Sequence, residues 1–232
     1  MKTLGLLICD HARLELNHPD GSYPEMFRKL LPAFEVTDYY VCDGVFPQST
    51  EVCDGWLITG SRRSVYDSLN WIRRLQEFTR EIAKSGVPCI GVCFGHQIIG
   101  AALGGVVRKA ETGWCLGVHP FEILVDEKWI VPSLNPVNLL MSCQDQVIEL
   151  PPDATLIARS PSCPNAIIRV GTNMLGIQGH PEFSLDFEHQ LLLANAPYLP
   201  ADRLADGIYS LSTPVDNEVV GQWMDAFLRN FS

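Results

Sequence analysis

A cysteine framed by glycines is the residue best placed for chemistry. Residues 91–95 read GVCFG and lie between an apolar run and a helical pattern. A Gly-x-Cys-x-Gly element in that setting predicts a sharp strand-to-helix turn, in which the glycines permit close packing and Cys93 projects above the sheet edge. The positive end of the helix would favour the thiolate. We therefore interpret Cys93 as a nucleophile, with a buried structural cysteine as the alternative.

A thiolate nucleophile needs a base to move protons, and a histidine late in the chain is best placed for it. Residues 179–182 read GHPE and directly follow an apolar run. His180 is therefore expected at the carboxyl-end rim of a parallel sheet, where Cys93 also emerges. Glu182 lies close enough in sequence to accept a hydrogen bond from the imidazole and fix its tautomer. A surface histidine that happens to precede Pro181 is the alternative.

Acyl chemistry also needs donors for a negatively charged oxygen. The N–H of Phe94, the residue after the nucleophile, is one donor in this geometry, and Gly60 can supply a second at the end of another apolar run. A plain loop glycine is the alternative interpretation of Gly60. His96 adjoins the turn but points elsewhere on the helix, so we expect it to lie behind the site.

Strands that alternate with helices must position these residues. Apolar runs and one segment rich in Val, Thr and Tyr predict strands at 4–9, 35–42, 56–59 and 87–92. Apolar residues at helical spacing predict helices at 24–31, 71–82 and 95–103. The alternation predicts parallel βαβ units, and therefore an α/β fold with a doubly wound, mostly parallel sheet and flanking helices.

The pattern changes after residue 104 to short strand-like pieces, which we interpret as antiparallel strands added at one edge of the sheet. They lie at 106–109, 118–125, 139–142, 155–159, 166–170 and 174–177. Two helices close the chain: one spans 187–194, and the other begins at a Thr213 cap and carries an apolar stripe that ends at Phe231. We expect residues 195–212 to be irregular, and residues 11–22 to form a polar loop.

Composition narrows the classes of function. The chain has 232 residues, of which 47% are hydrophobic and 19% charged, so we expect one globular domain over residues 1–232. Its net charge of −10 disfavours nucleic acid and anionic membrane surfaces as partners.

The cysteines and the lengths of the apolar runs indicate the cellular location of the protein. None of the eight cysteines lies in a CxxC pair, so we expect reduced thiols and no metal. The first apolar run is too short for a signal peptide, and no run reaches the ~18 residues of a membrane span. We therefore expect a cytoplasmic protein that needs no cofactor.

Taken together, these motifs resemble the class I, triad-type glutamine amidotransferases, the family that includes the glutaminase domain of GMP synthase. The resemblance extends over nearly the whole chain. It is carried by DGWLITGS at 54–61, GVCFGHQIIGAALGG at 91–105, MSCQDQVIEL at 141–150 and GIQGHPEF at 176–183. The resemblance implies a flavodoxin-like fold with antiparallel edge strands.

The resemblance also implies a mechanism. Cys93 would attack the side-chain amide of glutamine, and His180, oriented by Glu182, would protonate the departing ammonia and then activate water. Glutamate would leave from a γ-glutamyl thioester. Gly60 and Phe94 would form the oxyanion hole, and the remaining residues implied near the substrate are Ser61, Gln97, Ser142 and Cys143.

Two departures from the GMP synthase type leave the substrate open. Cys143 stands where that type has histidine, and the chain continues after Ser61 as RRSVYDSLNWI instead of glycine-glycine-proline. The continuation is similar to the γ-glutamyl peptidases, whose cysteine attacks glutathione-like compounds. Arg62, Arg63 and Tyr66 should then overhang the pocket, where the arginines could bind a substrate carboxylate. We therefore predict a glutaminase first, because its motifs extend over more of the chain, with a γ-glutamyl peptidase as the alternative.

Two other functional classes are less well supported. Cysteine-bearing α/β-hydrolases share the turn at Cys93 but place the acid before the histidine, where Asp126 or Asp145 could serve. A catalytically silent binding subunit conflicts with an intact Cys93, His180 and Glu182. The chain has no GxxxxGK[ST] loop and no room for a synthetase domain, so we expect any ammonia-accepting synthetase to be a separate polypeptide.

Overall fold

Strands and helices alternate through the first hundred residues of the computed structural model, which describes residues 1–11, 19 and 21–229. The strands are β1 (Lys2–Leu7), β2 (Phe34–Tyr39), β3 (Gly55–Ile58), β4 (Cys89–Val92), β5 (Val106–Lys109), β6 (Cys115–Ile123), β7 (Val137–Cys143), β8 (Asp145–Glu149), β9 (Ala154–Ser160), β10 (Cys163–Val170) and β11 (Met174–Ile177). The helices are α1 (Tyr23–Leu30), α2 (Asn70–Ser85), α3 (Phe94–Ala102), α4 (Leu185–Asn195), α5 (Ala201–Ser210) and α6 (Asn217–Arg229). Short 3₁₀ turns occupy Val41–Asp43 and Ala196–Tyr198.

Nine of the strands form one sheet in the order β2-β1-β3-β4-β11-β10-β9-β6-β7. The five strands from β2 to β11 run parallel, and the other four pair antiparallel. Every residue of β3, β4 and β11 is buried, as expected of strands that are covered on both faces. The predicted α/β class with a doubly wound, mostly parallel sheet is confirmed.

Two apolar layers cover the sheet. On one face, α1 and α6 contribute Phe27, Trp223 and Phe227 to a cluster with Leu4 and Leu6 of β1. On the other face, α2 and α3 pack through residues of helical spacing against the opposite side of the same strands; they include Ile72, Phe78, Ile98 and Ile99. Among the described residues, no helix is both long enough and apolar enough to cross a membrane.

Two predictions about the later strands are wrong. The segment at 174–177 is not an antiparallel edge strand, because β11 inserts next to β4 and runs parallel to it. The segment at 106–109 does not join the main sheet; β5 pairs with β8, which was not predicted, in a separate two-stranded sheet. Strand pairing depends on partners distant in sequence, which local patterns do not reveal.

The prediction of an irregular segment at 195–212 is also wrong, because α5 occupies most of it. Pro200 lies at the N-terminal end of this helix, and Gly207 packs against Leu116 of β6. The last helix begins at Asn217 and not at the predicted Thr213 cap, whose N–H instead donates to Ser210 at the end of α5. The predicted stripe residue Phe231 and most of the predicted loop at 11–22 lie outside the described residues.

Close packing of α3 on the sheet makes a stability prediction. A Cβ atom on Gly95 would collide with the Ile58 carbonyl of β3, so Gly95→Ala should destabilise the protein by about 3 kcal/mol or more. Gly44→Ala is the control, because it adds a methyl group in open space at a φ of 82° and should cost only about 1 kcal/mol. Chemical denaturation measures both, and equal losses would contradict the packing argument.

Candidate active site

Cys93 lies at the tip of a sharp turn between β4 and α3. Its φ of 53° and ψ of −103° are unusual for a residue with a side chain and store about 1–3 kcal/mol of strain. The turn forms because glycines allow two close approaches: a Cβ on Gly91 would collide with the backbone of Gly95, and one on Gly95 with β3. The Cys93 N–H donates to Ile177 of β11 at 2.8 Å, which fixes the turn to the neighbouring strand.

His180 follows β11 and is held on two sides. Its N–H donates to the Leu140 carbonyl of β7 at 2.8 Å, and its Nδ1 lies 2.8 Å from Oε1 of Glu182. The imidazole stacks on Phe183, with ring centroids 4.1 Å apart and planes 3° apart. Position and plane of the ring are therefore both fixed.

Neighbouring groups determine the pKa of His180. Burial alone lowers the pKa of an imidazole, but the Glu182 carboxylate and the Cys93 sulfur outweigh burial here and raise the pKa of His180 well above its usual value. The protonated ring is therefore stabilised between a carboxylate and a sulfur. This is the charge arrangement that a thiolate nucleophile requires.

Gly60 meets both Cys93 and His180. A Cβ on Gly60 would lie 3.1 Å from Cε1 of His180 and 3.8 Å from Cβ of Cys93. Phe94 begins α3, so its N–H is among those that an α-helix leaves without an intrahelical partner. Its side chain is buried against Trp71, and Phe94 can therefore contribute only backbone to the site.

A cavity of about 410 Å³ opens above these residues. The sequence-predicted residues on its wall are Gly60, Ser61, Cys93, Gln97, Ser142, Cys143, His180 and Glu182. The structure thus brings all the predicted site residues to one place, with Phe94 directly beside Cys93. His96 lies outside the cavity wall, where burial lowers its pKa to about 4.

Two of these residues have surroundings that limit what they can do. The Gln97 amide nitrogen donates to the Asp145 carbonyl at 2.7 Å and lies 3.2 Å from Oε1 of Gln178, so it also holds the cavity wall together. Burial and the nearby Cys93 raise the pKa of the Cys143 thiol well above its usual value. Cys143 therefore presents an uncharged group to the cavity.

The loop after Gly60 reaches the cavity, but its two arginines differ. The Arg62 guanidinium makes two 2.7 Å hydrogen bonds to the Asp10 carboxylate, so its charge is already neutralised. Arg63 has no ion-pair partner among the described residues. Both arginines line the cavity. Binding of a substrate carboxylate stays a prediction, for which Arg63 offers the charge that no carboxylate among the described residues pairs with.

Tyr66 and Asp145 form a separate interaction. The Tyr66 hydroxyl donates to one Asp145 carboxylate oxygen at 2.9 Å, and Ser64 donates to the other at 2.6 Å. Tyr66 does not line the cavity, contrary to expectation. Because the Asp145 carboxylate is engaged there and His180 pairs with Glu182, Asp145 does not take the acid position of the α/β-hydrolase alternative.

Sequence reasoning missed the far wall of the cavity. It is built from Lys109 on β5, Trp114 before β6, and three residues near the end of α4: Asn195, Tyr198 and Leu199. Lys109, like Arg63, has no ion-pair partner in the described part of the chain. The two prolines at 197 and 200 favoured an irregular segment, so the sequence did not predict a turn that lines the cavity. No local sequence pattern around Trp114 indicates that it lines a cavity.

The other cysteines lack the surroundings of Cys93. Burial raises the pKa of all seven: Cys9, Cys42, Cys53, Cys89, Cys115, Cys143 and Cys163. One of them belongs to an exposed group outside the cavity, in which ligand atoms of His11, Cys42 and Asp43 lie within 4.8 Å of one another. There His11 Nε2 and Asp43 Oδ1 already form a 3.0 Å pair.

Three similarities to known proteins bear on the family of this chain. Residues 36–197 match the family described as glutamine amidotransferase class-I. Gamma-glutamyl peptidase 3 of Arabidopsis thaliana is 31% identical over 66% of this chain and 65% of its own length, just under two thirds. GMP synthase (glutamine-hydrolyzing) of Lactococcus lactis subsp. cremoris is 31% identical over 55% of this chain and 24% of that protein.

A solved structure supports the same fold. The crystal structure of a glutamine amidotransferase from Thermotoga maritima superposes with a TM-score of 0.77 over 100% of this chain and 98% of that one. The two sequences are 18% identical, so this likeness establishes the fold alone.

The contact between Glu182 and His180 makes a prediction about protonation. Glu182→Gln removes the carboxylate but leaves the imidazole buried, so the pKa of His180 should fall. Titration of the His180 ring by NMR measures the change. Glu122→Gln, which breaks an exposed pair with Arg159, is the matched control and should leave His180 unaffected. An unchanged pKa in Glu182→Gln would contradict the assigned charge pairing.

Proposed function

Because the chain belongs to the class-I glutamine amidotransferase family, we propose that it hydrolyses the amide bond at the γ-carboxyl of γ-glutamyl compounds, with Cys93 as nucleophile. One observation carries the proposal. The strained turn of Cys93, the His180–Glu182 pair and the start of α3 meet on the wall of a single cavity. Nucleophile, base, orienting acid and backbone donors are the parts that acyl transfer needs.

The first half of the reaction forms a thioester. The Cys93 thiolate attacks the γ-carbonyl carbon, and the carbonyl oxygen becomes an oxyanion that the N–H groups of Gly60 and Phe94 stabilise. As the C–N bond breaks, the His180 imidazolium gives its proton to the departing nitrogen, which leaves as a neutral amine or ammonia.

The second half releases the acyl group. Neutral His180 takes a proton from water, and the resulting hydroxide adds to the thioester carbon. The C–S bond then breaks, which gives glutamate and restores the Cys93 thiolate and the His180 imidazolium. Glu182 stays ionised throughout, because its role is to hold Nδ1 of His180 and leave the other ring nitrogen for proton transfer.

The far wall of the cavity favours a leaving group larger than ammonia. Ligand sites of about 300–1,000 Å³ hold molecules of drug size, and the 410 Å³ cavity falls in this range. Arg63 and Lys109 place two cations on its wall, and Trp114 adds an aromatic surface. An amine that carries a carboxylate fits these groups, so the leaving group we favour is an amino acid or short peptide.

Glutamine hydrolysis is the second candidate. It is supported by the similarity to a glutamine-hydrolysing GMP synthase over 55% of the chain. In that case the ammonia acceptor would be a separate synthetase. Cys143 weighs against strict glutamine selection, because an uncharged thiol cannot pair with a substrate carboxylate as a protonated histidine does.

Comparing two substrates tests the proposal. Purified protein should release cysteinylglycine from glutathione with kcat/KM about tenfold or more above that for ammonia release from glutamine, equivalent to about 1.4 kcal/mol. Cys93→Ala should abolish both activities, and mass spectrometry after rapid quenching should find a γ-glutamyl adduct on Cys93. Cys42→Ala, outside the cavity, should remain active. Activity that survives in Cys93→Ala would refute the nucleophile, and faster glutamine hydrolysis would favour the second candidate.

The cationic wall makes a separate prediction. The double variant Arg63→Ala and Lys109→Ala should raise KM for glutathione about tenfold, because a charge-assisted contact to the leaving-group carboxylate contributes about 1.5 kcal/mol or more. Glutamine, which lacks that carboxylate, should be hydrolysed as before. Arg159→Ala removes a cation from an exposed ion pair outside the cavity and serves as control. Equal losses on both substrates would show that these cations do not contact the leaving group.

A further inference from the structure

A second carboxylic acid, Glu188, is buried behind the candidate active site. It lies in the first turn of α4 and has no exposed surface. Among the described residues, neither carboxyl oxygen makes a hydrogen bond and no ion pair includes Glu188. A fully buried carboxyl without a partner is costly, and the mechanism above does not use it.

The surroundings of Glu188 include the cavity wall. Two uncharged polar groups lower the pKa of its carboxyl: the Gly117 N–H of β6 and the Ser142 hydroxyl of β7. Ser142 also lines the cavity. The ionisable groups with the largest effects on its pKa are His180, which lowers it, and Glu182, which raises it.

Burial favours the neutral form of Glu188 at neutral pH. Burial raises its pKa to about 8, although His180, the Gly117 N–H and the Ser142 hydroxyl each favour the ionised form. A neutral carboxyl carries an O–H donor, whereas a carboxylate only accepts. The Ser142 hydroxyl both donates and accepts, and its hydrogen rotates to suit its neighbours.

We propose that Glu188 is a positioning residue: as a neutral acid it donates a hydrogen bond to the Ser142 hydroxyl oxygen and thereby directs the Ser142 O–H into the cavity. This inference rests on the proposed function, since it supplies a donor for a carboxylate of the bound γ-glutamyl compound. Ionisation of Glu188 reverses the arrangement. Ser142 then donates to Glu188 and presents a lone pair to the cavity, which repels a substrate carboxylate.

The test compares ligand binding by proteins with and without the Glu188→Gln substitution as pH changes. Both are placed in a Cys93→Ser background, so that Kd for glutathione is measured by calorimetry without turnover. The substituted amide keeps an N–H donor at every pH. The ratio of Kd with Glu188 to Kd with Glu188→Gln should therefore rise about tenfold from pH 7 to pH 9, as the neutral fraction of Glu188 falls. Titration of the ligand amine affects both proteins equally and cancels in the ratio.

A second measurement tests the buried neutral state itself. A carboxyl whose pKa is raised in the folded protein contributes stability below its unfolded pKa and loses that contribution as pH rises through the folded value. The Tm advantage of Glu188→Gln over the unsubstituted protein should therefore grow from pH 5 to pH 9. Ser142→Ala should weaken binding and remove the pH dependence of the Kd ratio.

The outcomes separate the two proposals. A Kd ratio that does not change with pH, or a Tm difference that stays constant, would overturn the role of Glu188. Retained binding without turnover by the protein with Cys93 intact would defeat the proposed hydrolysis and leave Glu188 standing. Absence of glutathione binding at every pH would defeat both.

Discussion

Parallel pairing of β4 with β11 is the constraint on which the site depends. The two strands are adjacent, with Val92 beside Ile177, although more than eighty residues separate them in the chain. Because parallel strands end at the same edge of a sheet, Cys93 and His180 emerge side by side. Gly60 joins them from β3, the strand on the other side of β4. Every other feature of the site refines the positions that this three-strand arrangement provides.

Burial makes the charges at this edge interdependent. His180 and Glu182 are both nearly inaccessible to water, so each lowers the desolvation cost of the other. Cys93 lies beside them at the N-terminal end of α3, where the helix directs its unsatisfied N–H groups. Glu188, behind them, has no such partner and is accommodated without its charge. Two buried carboxyl groups of the same chemistry thus have different surroundings, because only Glu182 lies within hydrogen-bonding distance of an imidazole.

Sequence patterns predicted which residues come together at this edge better than they predicted what surrounds those residues. The strands up to β4 were predicted from local composition and the helices up to α3 from the spacing of their apolar residues. The turn at Cys93 was predicted because glycines permit its close packing. Placing β11 beside β4, pairing β5 with β8 and forming α5 all depend on contacts between distant segments. The neutralisation of Arg62 by Asp10 could not be foreseen either, since fifty-two positions separate the two residues. Side chains that only line a cavity, such as Trp114, belong to no sequence motif and could not be predicted from one.

The far wall of the cavity comes from a different part of the chain than the edge that carries Cys93 and His180. Tyr198 and Leu199 come from the turn between α4 and α5, whereas Cys93, His180 and Gly60 lie at the ends of central strands. Tyr198 is 79% exposed, so its replacement disturbs little of the core. A change in this turn therefore alters the cavity wall without moving Cys93, His180 or Gly60.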